Sequence, residues 1–279
     1  MTARPNTTSL RPCDVPNVTN LETIKLFDSG YKEHEGSAID EYLHRTKEIH
    51  RLYDPNVGFN DMFAQLQLLG IIGAAESYFR TLFRRLIGID DQSKRTVEKL
   101  TVQFGAATML SKKMLPESIL ESYSFASGDN IKTAIKQLAG IEGDPPLAVK
   151  DALARYERIC QLRHCAIHRF GKLGVKNAIQ LGLDEHRPVL EKPLKLSYAS
   201  FQQAATIVEN LVRTINCYLF EKVIWRVPLD VWHTTGSKVF KQYLQLFYEN
   251  AEAVQCRKLF TTFKNERLPK SSAAPRNNS

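Results

Sequence analysis

The sequence predicts an all-α protein, a helical bundle with additional peripheral helices, and three observations carry that prediction. Apolar residues recur at three- and four-residue intervals over long stretches, the period of one helix face. No alternation of apolar and polar residues persists, so no strand is expected. Glycines and prolines stand at the joints between the helical stretches. With 279 residues, 43% of them hydrophobic, the chain can bury a substantial core.

Residues 1–20 are rich in Thr, Asn and Pro and read as a disordered arm. Residues 38–52 form an acceptable first helix through Ile39, Tyr42, Leu43, Ile49 and Leu52. Residues 59–87 form a stronger one, on Phe59, Met62, Phe63, Leu66, Leu69, Gly70 and Gly73. Asn60 or Asp61 is suited to its first turn, because an amide or carboxylate accepts from the unpaired N–H groups there. Gly88 is expected just past its end, in a left-handed cap. Residues 89–127 read as shorter helices broken by Gly105 and Pro116. Residues 129–138 are another short helix, followed by Gly140 and Gly143. A long helix over 147–168 starts after Pro145-Pro146 and closes at Gly171 and Gly174. Residues 175–197, with Pro188 and Pro193, look irregular with room for a short hairpin. Long helices follow at 198–225 and 237–263. The polar end, 268–279, reads as a disordered tail whose basic residues either solubilise the chain or touch phosphate. No linker interrupts 21–267, which is expected to be a single domain.

The formal net charge is +8. That suits a polyanionic partner, since Lys and Arg release counterions from phosphates. Five cysteines without a CxxC pair point to a reduced, cytoplasmic setting. No apolar leader opens the chain, and no run of about 18 uncharged apolar residues exists, so neither a signal peptide nor a membrane partner is expected.

The chemistry concentrates in Arg163-His164-Cys165-Ala166-Ile167-His168. Val149, Ala152, Tyr156 and Ile159 trace an apolar seam, and the next position in the series is Arg163. A guanidinium there is either paired at a wet cleft or snorkelling over its own methylenes. His168 lies about 140° around a straight helix from Arg163, so the two meet only if the helix ends early or two chains come together. Cys160, His164 and His168 share a face at four-residue steps and have zinc-binding side chains. No second ligand pair accompanies them, and neither a metal nor a cofactor is expected.

This run, with residues 155–162 before it and Arg169-Phe170-Gly171 after it, resembles the HEPN superfamily, in its RiboL-PSP-HEPN-like branch. Those domains carry Arg, a polar residue, a few variable residues and His on a late bundle helix. The stretch Gly73-Ala74-Ala75-Glu76-Ser77-Tyr78-Phe79 also looks like the family, which often places an acidic or polar residue there. The resemblance covers residues 38–225. It implies a metal-independent endoribonuclease that uses the RNA 2′-hydroxyl as nucleophile, with a role as a toxin or an anti-phage defence effector. His168 would be the general acid–base, since histidine titrates near neutral pH. Arg163 would hold the phosphate oxygens, and His164 would position the substrate. Glu76 is either an orienting group or an ordinary helix-surface carboxylate. Arg169, Arg80 and Tyr156 are the candidate substrate contacts. The expected partners are RNA, a second copy through the motif helices, and an antitoxin or defence-system protein. A non-catalytic HEPN module that binds RNA or protein is the alternative.

Arg84-Arg85, Lys94-Arg95 and Lys112-Lys113 read as solvated helix faces or phosphate contacts. Trp225 and Trp232 either pack around Pro228 or stack on bases.

Overall fold

A computed structural model describes residues 13, 14, 16, 19–33, 35–54, 56 and 58–267. The tail expected at 268–279 and most of the arm expected at 1–20 lie outside them. The chain divides between Glu35 and Gly36 into two compact units. In the first, the one helical element among the described residues is a 3-10 turn, Thr23–Leu26, with every side chain exposed.

The second unit is all-α, with thirteen α-helices and no strand among the described residues. Helix α1 spans Ala38–Arg51, α2 Asp61–Ile89, α3 Asp91–Val97, α4 Phe104–Met109, α5 Leu115–Leu120, α6 Gly128–Ala139 and α7 Leu147–Arg169. Helices α8 (Val175–Leu181), α9 (Leu183–His186), α10 (Tyr198–Trp225), α11 (Leu229–Thr234), α12 (Gly236–Phe247) and α13 (Cys256–Arg267) follow. No helix among the described residues is long and apolar enough to cross a membrane.

Local chemistry sets the helix starts. Ser37 and Asp40 form a reciprocal capping box before α1. Asn60 accepts from the Phe63 N–H at the start of α2. Ser127 and Ser197 cap α6 and α10 in the same way. Gly140 closes α6 at φ 61°, in the left-handed region that glycine enters without strain.

Helices α2, α7 and α10 form the centre, with α1, α6 and α12 packed around them. The seam of α7 is buried from Val149 to Ile159, with Tyr156 wholly enclosed. Phe79 and Phe83 of α2 stack on Phe125 at centroid separations of 5.5 and 5.8 Å. Each such buried ring contributes about 1.5–3 kcal/mol through lost apolar surface.

Several expectations are corrected. Gly88 lies within α2, which runs to Ile89; Asp90 ends it, because its extended backbone and side chain cap α3. Gly105 and Pro116 sit inside the first turns of α4 and α5 rather than between helices. The region 175–197 holds α8, α9 and a 3-10 turn, Arg187–Val189. In place of a hairpin, Lys172 bridges antiparallel to Pro193 across that whole insertion. The helix expected over 237–263 is two helices, broken where Tyr248 turns extended and Asn250 takes φ 52°. The Asn250 N–H donates to Asp40 Oδ1 at 2.7 Å, a tertiary bond that helical periodicity does not reveal.

Candidate functional site

Helix α7 leaves the core as it approaches its C-terminus. After buried Ile159 the seam reaches Arg163, whose side chain keeps 29% exposure. Its Nη2 lies 3.3 Å from Glu76 Oε1 on α2. Of the two readings of Glu76, the structure has it paired with Arg163. Both groups are accessible, so the pair contributes at most about 1 kcal/mol to stability. Its larger effect is to orient the guanidinium.

The pair stands on the wall of an open groove of about 360 Å³ between α2 and α7. Leu69, Gly73, Ser77 and Arg80 of α2 face Arg163 and Ile167 of α7 across it. Arg80 Nη1 donates to Glu117 Oε1 at 3.2 Å, and its Nη2 donates to the Tyr123 carbonyl at 3.3 Å. Glu117 also lies 3.5 Å from Arg84 Nε, so one carboxylate serves two arginines. Arg85 points elsewhere, donating to the Gly36 carbonyl.

His164 and His168 occupy a different side of α7. Both are exposed, with ring centroids 4.7 Å apart and planes at 48°. The His164 pKa is lowered, first by loss of water around the ring and then by His168, Lys176 and Arg163. Helix α7 remains regular through Arg169 and ends on Phe170 at φ 50°, where the Gly171 N–H donates to the Cys165 carbonyl. The helix thus does not unwind early enough to bring His168 to Arg163 within one chain. His168 is not among the groove walls.

Tyr156 requires a correction. It is wholly buried and its hydroxyl donates to the Phe125 carbonyl at 3.1 Å, so it is core and does not meet a substrate. Arg169 is exposed, but its Nη2 lies 2.7 Å from both oxygens of Glu191. Cys160 is buried beside Tyr156, and burial pushes its thiol up to about 12. Cys160, His164 and His168 do not converge, and among the described residues no group of three His, Cys, Asp or Glu side chains is placed to hold a metal ion. Trp232 is buried among Phe240, Phe260 and Phe263, while Trp225 keeps an exposed face beneath the Arg267 guanidinium.

Three residues of this neighbourhood escape sequence reasoning. Glu117 and Glu191 lie 37 and 22 residues from the arginines they meet, and Lys176 acts on His164 from the next helix. None has a local spacing signal.

No protein-family model, curated protein or solved structure matches the chain.

Proposed function

We propose that this chain is a metal-independent endoribonuclease that acts in the cytoplasm as a homodimer. The observation that carries the reading is the end of α7. There an accessible arginine is oriented by Glu76 in an open groove, and two exposed histidines stand together on the neighbouring face.

The pieces suit 2′-hydroxyl chemistry. An imidazole of His168 takes the 2′-hydroxyl proton as that oxygen attacks the adjacent phosphorus. The bond from phosphorus to the 5′-oxygen breaks, and a protonated imidazole returns a proton to that leaving oxygen. The products are a 2′,3′-cyclic phosphate and a 5′-hydroxyl. Arg163 places its donors on the non-bridging oxygens, where charge develops. His164, whose lowered pKa favours the neutral ring, positions the substrate.

Arg163 and His168 diverge on one helix, so the reading requires a second copy to complete each site. The face around the groove is suited to that. Met62, Leu66, Ile167 and Phe170 expose apolar surface along α2 and the end of α7. Gly73 lies in the same stripe and has open space where a Cβ would stand, leaving room for close approach. A role as a toxin or as an effector against phage, restrained by a partner protein, belongs to the same proposal and rests on the family resemblance alone.

One observation favours a second reading, a module that binds RNA or protein without cutting. Arg163, Arg80 and Arg169 each already meet a carboxylate, so a phosphate must compete with Glu76, Glu117 or Glu191.

The test incubates purified protein with total RNA in EDTA, beside Arg163→Ala and His168→Ala. The parent is expected to cut and both variants to lose cleavage by at least about a hundredfold. Equal cutting by His168→Ala and parent would sink the assignment. RNA retention without cutting by the parent would select the binding module.

A further inference from the structure

Residues 100–111 contain no ionisable side chain, a run of twelve, and Lys99 stands before them and Lys112-Lys113 after them. Helix α4 lies in the middle of this run. None of its residues is buried, and its main packing is against α5. Yet the run is not polar. Phe104 is 84% and Met109 86% exposed, and Leu100 and Leu110 each leave more than a third of their surface in water. Large apolar side chains concentrated on an element with no buried residue mark a contact surface.

We propose that this finger is a membrane-surface contact, in which Phe104 and Met109 enter the interface of a bilayer carrying anionic headgroups while Lys99 and Lys112 stay among the headgroups. Three features select that occupant. First, Lys99 and Lys112 are exposed and make no ion pair among the described residues, and the stretch 98–113 holds three lysines against one carboxylate, Glu98. That arrangement complements a negative surface, where each juxtamembrane cation adds to binding. Second, the finger is small. A six-residue helix is about 9 Å long, whereas a stable protein interface uses about 800 Å² from each partner. A fluid bilayer accepts a narrow tip without a matching groove. Third, Met109, Leu100 and Leu110 have no stacking face, so they suit acyl chains better than the bases of a single-stranded nucleic acid.

The expectation of no membrane partner rested on the lack of a spanning run. A surface contact needs no such run. The inference is independent of the groove at Arg163, and either can fail without the other.

The experiment sediments the full chain with vesicles of phosphatidylcholine alone or mixed with phosphatidylserine. Binding is expected only to the mixed vesicles, weakening as salt rises. The double variant Phe104→Ser/Met109→Ser should lose at least about tenfold in affinity, through lost apolar insertion. Lys99→Glu/Lys112→Glu should lose about as much, through the surface potential. All four positions are exposed, so circular dichroism and thermal midpoints should match the parent. Absence of parent binding to the mixed vesicles would overturn the proposal. So would undiminished binding by the Phe104→Ser/Met109→Ser variant. Loss of RNA retention or self-association in that variant, with vesicle binding intact, would assign the finger to another partner.

Discussion

Arg163 stands where an apolar seam calls for a hydrocarbon, and the reason lies on another helix. Glu76 of α2 meets its guanidinium at 3.3 Å, so the misfit is a paired cation at a groove wall rather than a snorkelling side chain. The run around it therefore has two chemical faces, one holding Arg163 and Ile167, the other His164 and His168. The second face is open to a direct measurement. The folded-state pKa of His164 lies below its ordinary value of 6.5. Between those two values the unfolded chain binds the extra proton, so any contribution to stability is complete above 6.5 and declines as pH falls through the window. The ring is exposed, so screening keeps that contribution small. In an NMR titration its imidazole should have a midpoint below 6.5. Lys176→Gln and His168→Asn should each move that midpoint part of the way up, since each removes a neighbouring charge. A midpoint unmoved by either substitution would leave burial and the Arg163 charge as the causes.

At the scale of elements, one carboxylate gathers several bonds at the joint between α2 and α3. Asp90 is buried there, and its Oδ2 accepts from the Ser93 N–H at 2.7 Å. Its Oδ1 accepts from the Tyr243 hydroxyl at 2.9 Å and from Arg226 Nε at 3.2 Å. Arg226 Nη1 donates in turn to the Ala139 carbonyl at 2.6 Å. One carboxylate thus ties the α2–α3 corner to the ends of α6 and α10 and to α12. Asp90→Ala removes the α3 cap and strands Arg226 and Tyr243. Arg226 keeps 21% of its side chain in water, which softens the loss. The expected cost is about 3 kcal/mol in urea unfolding, at the low end for a broken buried pair. Asp90→Asn keeps the acceptor and should cost less. A loss under about 1 kcal/mol for the alanine variant would mean that water replaces the carboxylate at this corner.

For the whole molecule, the question is what meets the α2–α7 face. Met62 and Leu66 are more than half exposed on a helix whose opposite side is fully buried. Glycine within a helix is less stable than alanine by about 0.5–1 kcal/mol, and no described residue comes within 4 Å of where a Cβ at Gly73 would stand. Gly73→Ala should therefore stabilise the monomer by about that amount. If two copies cross at this point, the same change weakens their association. Leu66→Glu should give a monomer in sedimentation velocity with its thermal midpoint unchanged. A parent chain that is monomeric at all concentrations would remove the shared cleft and, with it, the ribonuclease mechanism.

The helical class, the bounds of α1, α2, α7 and α10 to within a few residues, and a capping side chain at Asn60 or Asp61 were legible in the sequence. These are consequences of local chemistry, because helical period, capping side chains and the constraints of proline and glycine act within a few residues. The misfit on the apolar seam also singled out Arg163, while Glu76 stayed open between an orienting group and a surface carboxylate until packing paired it with Arg163. Packing alone decided that the final helical stretch breaks at Asn250 and that Glu117 and Glu191 hold Arg80 and Arg169. Each depends on partners brought together by packing across tens of residues, a separation over which sequence spacing carries no signal. The terminal run stands differently from its first reading for the same reason. Spacing left open whether Arg163 and His168 meet within one chain, and the regular course of α7 through Arg169 turns them to different sides.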